Sequence, residues 1–243
     1  MMNFRNLNLV PLFIFMGMTS AIAGISLDST RVVIESNDAL RGATIGVTSS
    51  ASSTTPYLVK AQVTRDTAGE KIQSPFIATP SLFRLEPGST NQVLIIKKPG
   101  SDELPNDRES VFYFRAVAMP AGDKQTTIKS PVVGGMLQVS TATVIKLFYR
   151  PASLPMQQKQ AMSMLQFSSS VKGIKVTNPT PYFITLAELK VAGKKVPLSV
   201  TSGNTMIAPF GSQLYTHAPQ QGRVEWKALN DYGGEEAFHG DVR

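Results

Sequence analysis

Short segments rich in Val, Ile, Phe, Tyr and Thr alternate along the chain with turn signals, and no stretch keeps a 3.6-residue hydrophobic period for three turns. The pattern predicts an all-β protein. Strands are expected at 31–35, 43–48, 57–65, 93–97, 111–117 and 136–149, then, beyond a proline-punctuated stretch at 150–155, at 164–168, 174–177, 183–191, 196–200, 205–207 and 224–229. Pro151 lacks a backbone donor and biases Arg150 toward an extended conformation, so one strand should end at Tyr149 and pass through a short, stiff joint into a second unit. Two sandwiches, 24–150 and 151–243, are the economical arrangement. The polar, glycine-containing run at 121–127 reads as a hairpin loop.

The first residues stand apart from this pattern. Arg5 is the only charge before Gly24, 9–18 is almost wholly apolar, and Ala21-Ile22-Ala23 has the small-x-small form of a signal peptidase site. Export with cleavage after Ala23 is expected. The apolar run is shorter than the roughly 20 residues that a bilayer requires.

Composition narrows the chemistry. The chain has 243 residues, of which 42% are apolar and 17% charged, too apolar for disorder. It has no Cys, which removes disulfides and thiol catalysis, and His217 and His239 alone are a poor basis for a nitrogen or sulfur metal site. No cofactor is expected. No G-x-S-x-G elbow occurs and neither histidine has a recognisable partner, so the residues give no support to a hydrolase. The net charge of +7 falls to +6 without Arg5, and Lys and Arg are scattered singly or in pairs such as Lys97-Lys98 and Lys194-Lys195. With no basic stripe interleaved with aromatics, the excess suggests solubility and a bias toward anionic partners, not nucleic acid.

Several stretches, in this order and spacing, carry a resemblance across nearly the whole chain after Ala23. They are Ser26 to Val33; Pro56-Tyr57-Leu58; Pro75 to Pro80 with Arg84-Leu85-Glu86-Pro87-Gly88; Leu104 to Phe114; Ile145-Lys146-Leu147-Phe148-Tyr149-Arg150-Pro151; Asn178-Pro179-Thr180-Pro181-Tyr182; and Asn230-Asp231-Tyr232-Gly233-Gly234. Together they resemble the PapD-like periplasmic chaperones of the chaperone–usher pilus pathway. The resemblance implies two immunoglobulin-like β-sandwiches in an L or boomerang, a binding cleft between them, and no catalytic residues. It implies donor-strand complementation: the first domain lends its final strand to an incomplete pilin subunit until the outer-membrane usher exchanges it.

On that resemblance, Arg31 and Lys146 hold the pilin C-terminal carboxylate. Leu137, Val139, Thr141, Thr143 and Ile145, on one face by the period of two, form the donor strand, and Glu109, Arg150 and Asp231 form an ion-pair network between the domains. From the residues alone, other readings stay open. Alternation at 137–145 fits equally a strand paired on both edges, Arg31 and Lys146 fit ordinary surface charges, and Asp231 fits turn chemistry. The stretch 137–145 does contain neither charge nor Pro to blunt an exposed edge, which also allows self-association of the free protein.

Some features depart from the family pattern. Thr141 stands where a large aliphatic residue is usual, the second domain lacks a disulfide, and the few residues after Gly234 leave room only for a short last strand. A long loop at 121–135, with no N-terminal arm before the first strand, leans toward the short-loop class with an insertion and hence toward rod-type pili. The competing reading is an exported pilus subunit or carbohydrate-binding adhesin. Against it stand the two-domain pattern and the single Trp226, which offers little aromatic platform.

Overall fold

The computed structural model describes residues 24–101, 103–121 and 140–243. The expected leader at 1–23, most of the 121–135 loop, and the strand positions Leu137 and Val139 lie outside the described residues.

The first half forms nine strands: β1 (Ile25–Leu27), β2 (Arg31–Glu35), β3 (Ala43–Ser49), β4 (Tyr57–Thr64), β5 (Phe76–Thr79), β6 (Leu82–Leu85), β7 (Thr90–Lys97), β8 (Ser110–Pro120) and β9 (Thr141–Arg150). They make a four-stranded sheet in the order β1-β3-β7-β5 and a five-stranded sheet in the order β2-β9-β8-β4-β6. The period of two does the sorting. Tyr57, Val59, Ala61 and Val63 of β4 and Phe112, Phe114, Ala116 and Ala118 of β8 turn into one core with Ile45, Val47, Val93 and Ile95 of the facing sheet. Their alternates, such as Leu58, Lys60, Tyr113 and Arg115, lie on the outer face.

The second half begins with a short helix α1 (Gln158–Met162), followed by β10 (Gln166–Ser170), β11 (Gly173–Thr177), β12 (Ile184–Val191), β13 (Lys194–Lys195), β14 (Met206–Ile207), β15 (Ser212–Thr216), β16 (Arg223–Leu229) and β17 (Glu235–Asp241). One sheet runs β10-β11-β15; the other runs β13-β12-β16-β17, with β14 also on β12. A separate core gathers Ile174, Val176, Ile184, Leu189, Val224, Trp226 and Ala228 with Ala161 and Met162 of α1. The Trp226 indole N–H donates to the Met162 carbonyl at 3.1 Å, which fastens the helix across the sandwich.

Two expectations need correction. Residues 196–200 are not a strand: Pro197 has no N–H for a ladder, and Asn204 ties up this segment by accepting from the Ser199 N–H at 2.7 Å and donating to the Pro197 carbonyl at 3.0 Å. The last strand is not short, because β17 pairs with β16 along seven residues.

Candidate functional site

The chain changes sheets near its start. β1 pairs with β3 in the four-stranded sheet, whereas β2 pairs with β9 in the other. At the crossing, the Asp28 carboxylate accepts from the Gly46 N–H at 2.9 Å. The switch fixes where β2 begins, and so which part of β9 it covers. β2 and β9 run parallel in register from Arg31 opposite Lys146 to Glu35 opposite Arg150. Upstream, Thr141–Ile145 pairs with β8 on one side, and among the described residues no strand pairs with its other edge.

Within β9, Leu147 is buried in the first core, with Ile145 and Tyr149 packed against it. Thr143 and Thr141 continue the same face outward, Thr143 half-buried and Thr141 exposed. The opposite face carries Lys146, Phe148 and Arg150 and meets the second sandwich. There Phe148 lies against Phe183 with ring centroids 5.9 Å apart.

Arg31 and Lys146 sit side by side on that face, because register partners in neighbouring strands point the same way. Each touches the second sandwich through a neutral group. Arg31 Nη1 donates to the Leu229 carbonyl at 3.2 Å, and Lys146 Nζ donates to the Thr185 hydroxyl at 3.2 Å. Neither makes an ion pair with a described residue, and the buried Arg31 Nε has no hydrogen-bond partner. Burial, reinforced by the adjacent Arg31 charge, lowers the Lys146 pKa to about 8. Burial also lowers that of Arg31, opposed by the charges of Asp231 and Glu109. Two adjoining, partly desolvated cations with an unused donor have the chemistry to receive an anion.

Arg150 has the opposite surroundings. Its Nη1 and Nη2 donate to the Asp231 carboxylate at 2.8 and 2.7 Å, and its Nε donates to Glu109 Oε1 at 2.8 Å. The guanidinium lies 5.1 Å from the centre of the Tyr182 ring. Glu109, nearly fully buried, also accepts from the Phe183 N–H at 2.9 Å, while its own N–H donates to the Pro181 carbonyl at 2.9 Å. Burial alone depresses the Arg150 pKa, but the hydrogen bonds it donates to Asp231 and both carboxylate charges outweigh it and raise the pKa. Burial pushes the Glu109 carboxyl up, against the pull of Arg150 and the Phe183 N–H. A bidentate clasp on one side and a third carboxylate bond on the other join residues from both sandwiches.

The turn before β17 is closed by Asn230, whose side-chain oxygen accepts from the N–H groups of Tyr232 and Gly234 at 3.1 and 2.9 Å. Asp231 is thereby left to face Arg150. Gly233, at φ +82, lets the turn press against Thr30, since a Cβ there would come within 2.4 Å of the Thr30 hydroxyl. A cavity of about 900 Å³ beside the clasp is lined by Arg150, Asp231, Tyr182 and part of α1. Neither Arg31 nor Lys146 lines it.

Two family descriptions match these two sandwiches: "Pili and flagellar-assembly chaperone, PapD N-terminal domain" over residues 24–155, and "Pili assembly chaperone PapD, C-terminal domain" over residues 160–239. The chain belongs to the PapD-like chaperones of pilus assembly. The probable fimbrial chaperone ElfD of Escherichia coli strain K12 is 35% identical over 216 residues, which cover 87% of this chain and 84% of ElfD. The crystal structure of the E. coli chaperone DraB superposes with a TM-score of 0.74 at 30% identity, covering 90% of this chain and 96% of DraB. The SafB chaperone complex with the Salmonella enterica SafA pilin gives a match with a TM-score of 0.73 at 27% identity, over 89% and 95% of the two chains. This is a fimbrial chaperone of a periplasmic family.

Pattern alone misses the groups through which the second sandwich meets the site. Thr185, Phe183 and the Leu229 carbonyl carry no motif of their own. The clustered prolines at 179 and 181 are the one local signal that the chain there is held for a contact.

Proposed function

We propose that this chaperone binds an incomplete pilus subunit at the junction of its sandwiches, with Arg31 and Lys146 on the subunit's C-terminal carboxylate and the free edge of β9 hydrogen-bonded into the subunit's open groove. The edge of Thr141–Ile145, open among the described residues and ending beside two cations with no acid partner among them, is the observation that carries this reading. A subunit strand ending at Lys146 would run parallel to β9, and the anchored terminus would set its register, where a one-residue slip turns every side chain to the wrong face. Thr141, Thr143 and Ile145 would then extend the inner face of β9 from the chaperone's own core into the subunit's, with Leu137 and Val139 next along the alternation. The clasp of Glu109, Arg150 and Asp231 would hold the angle between domains 24–150 and 151–243. That the SafB relative was crystallised with a pilin supports a pilin as the partner, with delivery to the outer-membrane usher to follow. Export would end with cleavage after Ala23, giving a mature chain whose mass starts at Gly24.

Co-expression with a cognate pilin subunit should yield a soluble heterodimer in the periplasm. Arg31→Ala and Lys146→Ala should each abolish it while circular dichroism of the free chaperone stays unchanged. A complex that survives both substitutions would remove the anchor.

A further inference from the structure

The orphaned donor that marks Arg31 recurs once among the described residues, at Arg115, whose Nε is also buried without a hydrogen-bond partner. Arg41, Arg84, Arg108, Arg150 and Arg223 each face a carboxylate. Arg115 is on β8, two residues from Tyr113, which is the register partner of Lys146. Arg115 and Lys146 therefore share one face of the five-stranded sheet, on neighbouring strands and roughly 7 Å apart along the diagonal. That is the face from which Lys146 reaches Thr185.

The loop after β4 is shaped around this side chain. Gly69, at φ +82, lies against the guanidinium so closely that a Cβ would sit 2.4 Å from Nη1 and 3.1 Å from Cδ. The acid of that loop is turned to its own backbone: Asp66 accepts from the N–H groups of Gly69, Glu70 and Lys71 at 2.6, 3.1 and 2.6 Å. The strand neighbours of Arg115 are Gln62 and Val144. A planar fork of donors is thus seated without an ion-pair partner among the described residues, where a carboxylate fits best.

We infer that Arg115 is a specificity-determining residue that takes an aspartate or glutamate side chain from the surface of the bound pilus subunit. The inference rests on the proposed docking at Arg31 and Lys146, which take the chain terminus, so Arg115 reads a second, internal acid.

The test uses the chaperone and the pilin subunit with which it co-purifies, with dissociation constants measured at low and high salt. Arg115→Gln should weaken the complex about tenfold or more at low salt and less at high salt. Arg115→Lys should recover part of the loss. Arg115→Glu should be worse than Arg115→Gln and be rescued by one acid-to-lysine change on the subunit, an effect that a merely structural role would not produce. Unchanged unfolding temperatures identify the variants that count, and Arg115→Gln carries the test if Arg115→Glu does not fold. If Arg115→Gln binds as tightly as the parent while Lys146→Ala abolishes binding, this inference fails and the anchor stands. If Arg115→Gln weakens binding but no subunit substitution rescues Arg115→Glu, the inference also fails. If Lys146→Ala binds normally, the anchor itself is wrong.

Discussion

Lys146 and Arg150 lie four residues apart on one face of one strand, both partly buried against the second sandwich, yet their surroundings are opposite. Arg150 is held by two carboxylates and its charge is reinforced. Lys146 has a hydroxyl and a neighbouring cation, and its pKa is lowered to about 8. Strand pairing changes at the same place, since β2 covers β9 from Lys146 onward and leaves Thr141–Ile145 open. Among the described residues, one strand thus has a satisfied end that clasps the second sandwich and an end with neither a strand nor an acid for partner, which is where the proposed pilin would bind. Burying an unpaired charge costs stability that a bound anion returns.

The largest effect should come from breaking the satisfied end. Glu109→Ala leaves Arg150 Nε and the Phe183 N–H buried without their acceptor, and removing one partner of a buried pair costs about 3 to 5 kcal/mol. Calorimetry should show the melting temperature falling by about 6 °C or more. Asp231→Ala should cost less, because the Asp231 side chain is 31% exposed where that of Glu109 is 2%, and water can replace what is lost. Equal losses from the two substitutions would contradict the ranking by burial.

At the unsatisfied end the signs reverse. Lys146→Met removes a desolvated cation that has only a hydroxyl to answer it, so the free chaperone should melt at the same temperature or higher. The same variant should lose pilin binding by at least about tenfold, the value of one charge-assisted bond. A drop in stability as large as that of Glu109→Ala would erase the distinction between the two ends.

How far these ends are legible in the sequence follows from the kind of signal each leaves. Alternation finds β4, β8, β12 and β16, where apolar residues recur at the inward positions over seven residues or more. It overlooks β15, which turns only Tyr215 fully inward, and β17, an edge strand of polar residues with Phe238 as its main core contact. It also overlooks β5 and β6, short strands that Pro80 and Ser81 separate. For the site, periodicity says only that Lys146 and Arg150 share a face. The resemblance supplies the grouping of Arg31 with Lys146 and of Glu109, Arg150 and Asp231. What neither supplies is the start of β2, set by the crossing between sheets, or the contacts made by Thr185 and the Leu229 carbonyl, which depend on how the two sandwiches meet.

A milder perturbation tests the unsatisfied end without mutation. Lys146 is charged below about pH 8, and the charge is what the carboxylate needs, so pilin affinity should fall by up to about tenfold between pH 7 and pH 9. Stability moves the other way. Above pH 8 the folded chain has released a proton that the unfolded chain keeps until about pH 10.5, so this lysine's contribution to the stability of the free chaperone rises through that window. In Lys146→Met the lysine's share of both trends should vanish. A pH profile of binding that is identical in the parent and the variant would sever the link to Lys146.

The smallest effect concerns another contact between the sandwiches, next to Glu109 but in water. The Arg108 guanidinium lies 4.9 Å from the centre of the Phe210 ring while also paired with Asp107. Such an exposed stack contributes about 0.5 to 1 kcal/mol. Phe210 also sits at φ +54, a left-handed conformation that costs a non-glycine residue about 1 kcal/mol or more. The two terms nearly cancel, which gives an unusual ordering of variants. Phe210→Ala loses the ring and keeps the strain, so it should destabilise by about 0.5 to 1 kcal/mol, whereas Phe210→Gly loses the ring and relieves the strain and should come out near neutral. Arg108→Ala should match Phe210→Ala and add nothing to it in the double variant, measured by chemical denaturation. If Phe210→Gly is the worse of the pair, the left-handed backbone is not strained, and if Arg108→Ala costs nothing, the guanidinium does not hold the ring.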